Sequence, residues 1–162
     1  MFLKFKLIMT RFFVTGSIAL FFTSSGVAGE IDISRGKYLV EIGGCNDCHT
    51  AGFAPSGGTT PEAQWLLGDS LGFRGAWGTT YSTNLREYIG EISENEWATK
   101  AKILKTRPPM PWWTVNAMTE NDLRAIYKYI KSLGVVNRSV PSYVPPGVEP
   151  KTPYILWPAP PK

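Results

Sequence analysis

The chain is 162 residues long, 43% hydrophobic and 13% aromatic, with 17 basic and 13 acidic residues, two cysteines and one histidine. That length fits one compact domain with an extension, not two domains. The three Cys and His side chains fall short of the four ligands that zinc usually takes.

Lys4, Lys6 and Arg11 form a positive start, Phe12 to Phe22 is almost wholly apolar, and Ser24-Ser25-Gly26-Val27-Ala28 supplies small residues. The pattern predicts a secretory signal peptide over residues 1–28, cleaved after Ala28. The apolar run is shorter than the ~20 residues that span a bilayer, so export is expected, not anchoring. Three basic and no acidic residues lie in this segment, which leaves the mature chain a net charge of about +1. Nucleic-acid binding loses its electrostatic support.

From Ile33 to Gly44 the sequence predicts a first helix, capped by Ser34, with Leu39, Ile42 and Gly43 on one face. Gly36 and Gly43 leave room for a second helix to cross closely. This helix delivers Cys45-Asn46-Asp47-Cys48-His49, which holds both cysteines and the single histidine. C-x-x-C-H is the attachment signature of a c-type haem. Two thiols three residues apart on a helical turn reach the two vinyl groups of one porphyrin, and the histidine that follows is placed to bind the iron. A thioredoxin-like redox pair shares the cysteine spacing, but it expects alternating strands and helices, and no run of strands is visible. The pentad resembles that of the c-type cytochromes.

Thr50 to Gly90 is rich in Gly, Pro, Thr and Ser, broken by an apolar patch from Pro61 to Leu67, and reads mostly as loop. A loop this long is acceptable where it packs on a ligand. Within it Trp77, Tyr81 and Asn84 are expected to line the propionate side of the haem. Ser93-Glu94-Asn95-Glu96 is a capping box that opens a helix through Trp97, Ala101 and Leu104. Lys100, Lys102, Lys105 and Arg107 collect at its far end, as the helix dipole favours. Arg107 to Trp113 reads as a stiff loop without a helical option. Thr119 then caps a last helix with Asp122 at the third position; its stripe of Leu123, Ile126, Tyr127, Ile130 and Leu133 is expected to pack on the first helix, and Gly134 ends it. Residues 135–162 carry eight of the thirteen prolines and form an extended tail, excluded from helix and central strand. Its apolar residues favour docking over disorder.

From Gly36 to Leu133 this order of elements is similar to the class I cytochrome c arrangement, which implies an all-α fold of few helices and long loops around one covalently bound haem, with the haem domain at residues 29–134. The stretches 78–84, 109–112 and 118–127 resemble haem domains of the cytochrome subunits that serve periplasmic alcohol and aldehyde dehydrogenases. Those subunits commonly carry three such domains where this chain has one. The resemblance implies a periplasmic mono-haem protein that passes single electrons, not an enzyme. Its implied partners are a dehydrogenase and a downstream cytochrome or oxidase, with any membrane association made through a partner. The alternative is a haem sensor or peroxidase-like enzyme with a displaceable sixth ligand.

His49 is the expected fifth ligand. Within the chain no second histidine exists, and Met1 and Met9 leave with the signal, so the sixth position lies between Met110 and Met118. Met118 precedes the Thr119 cap and can staple onto Leu123; Met110 sits between prolines, at the family's methionine position, and is the expected ligand. By the same resemblance, a backbone carbonyl near Pro55 or Pro61 should accept the other ring N–H of His49. The basic cluster runs into the Met110 loop beside Pro111, Trp112 and Trp113, charge around an apolar contact, and suits an encounter with an acidic redox partner.

Overall fold

The computed structural model describes residues 25–157, with side chains from residue 32 onward. Residues 1–24 of the expected leader and the last five residues of the tail lie outside the described residues.

Helix α1 (Ser25–Ile42) starts well before Ser34, which therefore lies inside the helix and does not cap it. It stops at Ile42, and Gly44, at φ +66°, turns the chain into the one-turn helix α2 (Cys45–His49). Leu39 and Val40 are buried, whereas Ile42, expected beside Leu39, is 62% exposed. Leu39 lies on the inward face as expected, and Ile42, the last residue of the helix, does not.

The loop region is more ordered than its composition suggests. A 3-10 turn (Glu62–Gln64) leads into Trp65, Leu66 and Leu67, all buried. Strands β1 (Gly72–Gly75) and β2 (Gly78–Thr80) form an antiparallel hairpin, and β3 (Tyr154–Leu156), from the proline-rich tail, adds to β1 in parallel. The sheet order is β2-β1-β3, so the tail takes an edge, where proline neighbours do least harm. The fold is thus mostly helical, as expected, with long loops and a small sheet beside the helices.

Two further helices had no sequence expectation. Helix α3 (Leu85–Glu91) begins where Asn84 Oδ1 accepts the N–H of Glu87. Helix α5 (Trp112–Ala117) starts directly after Pro111, in the stretch read as having no helical option. Proline is tolerated at a helix entrance because the N–H it lacks would have no partner there. Between them α4 (Glu94–Lys102) carries the complete capping box of Ser93 and Glu96.

Helix α6 (Glu120–Ser132) behaves as expected: Thr119 caps it through the N–H of Asp122, and Gly134 follows it at φ +74°. Leu123, Ile126 and Ile130 are buried, as are Ala125 and Tyr129, and all but Leu123 share one core cluster with Leu39 and Val40 of α1. Tyr129 is fully buried because its hydroxyl donates to Glu62 Oε1 at 2.9 Å, while Lys37 holds the other oxygen of the same carboxylate at 2.5 Å. Where α1 crosses α6, a Cβ on Gly36 would lie 2.0 Å from the carbonyl oxygen of Ala125. The obstacle is backbone, so no side chain can move aside. Gly36→Ala should force the helices apart and lose about 1–3 kcal/mol, read as a lower midpoint in urea unfolding of the haem-bearing protein.

Candidate functional site

Helix α1 ends against α6, so α2 projects from the packed pair into a cavity of about 1150 Å³ lined by Cys45, Cys48 and His49. Pockets for drug-sized ligands run to ~300–1,000 Å³, so this one takes a larger body. Its walls include Ile126 and Ile130 of α6, Leu104 and Val115, and both remaining methionines, Met110 and Met118.

His49 Nδ1 lies 2.8 Å from the carbonyl oxygen of Thr83. A carbonyl only accepts, so Nδ1 carries the proton and Nε2 keeps its lone pair for a metal. Burial pushes the ring's pKa down, against the upward pull of the Thr83 carbonyl, and the neutral form is favoured. The orienting carbonyl comes from Thr83 and not from the loop near Pro55 or Pro61. The loop after α2 is used differently: the carbonyl of His49 accepts from Gly68 N–H at 2.8 Å, and Thr50 Oγ1 accepts from Leu66 N–H.

Burial raises the Cys45 thiol to about 11, with the nearby Asp47 carboxylate adding to the rise, and raises Cys48 for the same two reasons. Both thiols are therefore held neutral, the opposite of the lowered pKa that marks a thiol–disulfide exchange pair. Space, two neutral thiols at one rim and an imidazole with a free Nε2 together fit a covalently attached haem.

The methionines are placed differently. Met118 follows α5 and packs on the core cluster; its Cε and Cys45 Sγ each lie within 4 Å of the point where Gly43 would carry a Cβ, which puts it beside the attachment rim. Met110 lies in a loop tied down at several places. Thr80 Oγ1 donates to the carbonyl of Pro108 at 2.7 Å, and the carbonyl of Met110 accepts from Trp112 N–H at 2.9 Å.

Of the three residues expected on the propionate side, Tyr81 and Asn84 line the cavity and Trp77 does not. The Trp77 ring lies over Gly75 instead, close enough that a Cβ there would sit 2.5 Å from it. Both of the other two also bond to the tail. Tyr81 Oη shares a hydrogen bond with Thr152 Oγ1 at 2.8 Å. Asn84 caps α3 with its oxygen and donates from Nδ2 to the carbonyl of Val136 at 2.8 Å.

The basic cluster also divides. Lys100 and Arg107 line the cavity. Lys102 Nζ instead donates to the carbonyls of Asn116 and Met118, closing the end of α5. Thr83, Gly68 and the tail had no sequence signal as site components, because a carbonyl and a close approach are properties of backbone that any residue type can provide.

Asn84→Ala removes both a cap and the bond to the tail, and should cost about 1–3 kcal/mol in denaturant unfolding. Asn84→Asp, which keeps the accepting oxygen but not the donor, should recover only part of that loss.

With this geometry in place, the comparisons with known proteins give one finding. Residues 33–134 match the family model described as Cytochrome c. No curated protein and no solved structure matches the chain.

Proposed function

The chain belongs to the cytochrome c family and carries one covalently bound haem c, and from that premise we propose that it passes single electrons between periplasmic redox partners. Cys45 and Cys48 form the thioether links, His49 is one axial ligand and Met110 the other. The observation that carries the reading is the cavity wall, where an oriented imidazole and Met110, on a loop tied down beside it, border one space. Held by both of these side chains, a bound haem would supply one-electron chemistry and leave no open site for a substrate. Histidine and methionine together also favour a raised potential. Met118 is the weaker candidate for the sixth position because it sits at the thioether rim beside Gly43 and Cys45.

Met110→Ala should therefore abolish the weak long-wavelength thioether band of the oxidised protein and open the reduced protein to rapid carbon monoxide binding, while Met118→Ala keeps the band. Loss of the band in Met118→Ala alone would overturn the assignment. A wild-type protein that already binds carbon monoxide rapidly would favour the sensor or peroxidase-like reading.

The donor in this proposal is a periplasmic dehydrogenase of the alcohol or aldehyde class, and the acceptor a downstream cytochrome or oxidase. Residues 1–28 carry the signal for export, so that the native protein begins at Gly29. Around the Met110 loop Ile103 is 77% and Trp113 59% exposed, an apolar contact flanked by Lys105 and Arg107. Redox encounters are small and use charge to speed the approach more than to hold the complex. Lys102 is a poor probe of steering, because its charge also closes α5 beside Met118. Lys105 is the better one. Reduction by the donor should slow as salt is raised, and Lys105→Glu should slow it roughly two- to tenfold at low salt, a part of the 10–10³ that steering supplies. A rate indifferent to both would leave the uncharged surface as the recognition site.

A further inference from the structure

The family match ends at residue 134, yet the cavity does not. Asn137, Arg138, Ser139, Val140, Pro141 and Tyr143 all line it. This stretch of tail is fixed along its length. Before it, the carbonyl of Val136 accepts from Asn84 Nδ2. After it, Val144 and Thr79 exchange two backbone hydrogen bonds, at 2.7 and 3.0 Å. Between them Tyr143 Oη donates to the carbonyl of Trp77 at 2.7 Å, and the Arg107 guanidinium lies 3.9 Å over the Tyr143 ring. Val140 packs so closely that a Cβ on Gly68 would come 2.6 Å from its Cγ2 and 2.7 Å from the carbonyl oxygen of Ser82. Gly68, at φ +75°, is the residue that bonds the carbonyl of His49. The tail therefore crosses beside the histidine end of the cavity, along the loop from Trp77 to Asn84.

Two propionates must find donors in this space. Asn84 is already engaged by the tail and by the α3 cap, and Tyr81 shares its hydroxyl with Thr152 of the tail. The charged residues among those that line the cavity are Glu87 and Glu91 of α3, Lys100 of α4, Arg107 before the methionine loop and Arg138 of the tail, besides His49. Lys100 belongs to a helix packed on α5 and α6, and Arg107 is stacked on Tyr143. Arg138 follows directly on the bonds to Asn84, whose Nδ2 lies 3.5 Å from the Arg138 carbonyl oxygen.

We infer that residues 137–143 of the tail form a wall of the haem cavity and that Arg138 supplies the positive partner of a haem propionate. The inference rests on the bound haem alone, and stands or falls apart from the choice of donor, acceptor or sixth ligand. An ionised propionate favours the more positive ferric iron, so the midpoint potential falls as pH rises through the propionate's pKa. An arginine within about 4–6 Å lowers a carboxyl pKa by ~1–3 units.

The test is a potentiometric titration of the haem-bearing protein across about pH 4 to 9, spanning the carboxylate and histidine ranges. In Arg138→Gln the falling limb should move up by about 1–3 pH units, and in Arg138→Lys it should return most of the way to the wild-type position. Lys100→Gln removes the same charge from another wall and should leave the limb in place. Arg138 is exposed, so these changes spare the core, and an unaltered visible spectrum checks that the axial ligands are intact. An Arg138→Gln curve that superimposes on the wild type would overturn the inference, and so would an equal shift in Lys100→Gln.

Discussion

The crossing of α1 and α6 at Gly36 sets the position of everything else. Because no side chain separates Gly36 from the carbonyl of Ala125, the helices approach closely enough for Leu39 and Val40 to share a core with Ala125, Ile126 and Ile130. Helix α2 has only five residues and no side-chain cap, so it has little stability of its own. Its direction is inherited from α1, and with it the placement of two thiols and an imidazole at one end of the cavity. A shift of one turn at the crossing would carry the pentad off its cavity.

Much of the helical frame was legible in the sequence because its signals are local. Ser93 with Glu96, Thr119 with Asp122 and the apolar stripe of α6 each sit within a few residues of what they cause. The same holds for the pentad, whose spacing is the chemistry. What was not legible depends on distant chain. Helix α3 is short and capped by an asparagine that had been read as a haem contact. Strand β3 has no alternating pattern; its pairing with β1 comes from backbone hydrogen bonds across some eighty residues. The carbonyl that orients His49 lies 34 residues away in sequence, where no side-chain identity could announce it. Ile42 was misplaced because the end of α1 is fixed by the left-handed turn at Gly44, not by hydrophobic period.

Polar groups around the cavity show how a small chain manages buried donors and acceptors. Arg86 is 6% exposed and has no carboxylate among its hydrogen-bond partners; it donates to the carbonyls of Leu133, Gly134 and Ala63. Two of these are at the end of α6, where the helix dipole is negative, so the cation is matched by oriented peptide groups. Asn84 does the converse, satisfying an orphan N–H at the start of α3 and a carbonyl of the tail with one side chain. Both residues join the end of the helical frame to a segment that is not helical.

The parallel pairing of β1 with β3 has a further consequence for the order in which the molecule closes. A ribosome releases the chain N-terminus first, so the thiols of Cys45 and Cys48 emerge more than a hundred residues ahead of Tyr154. Bringing residues 72–74 to residues 154–156 also carries the loop-closure cost of a long intervening chain. Until that strand arrives, β1 has only its hairpin partner β2 to pair with, and its other edge stays open.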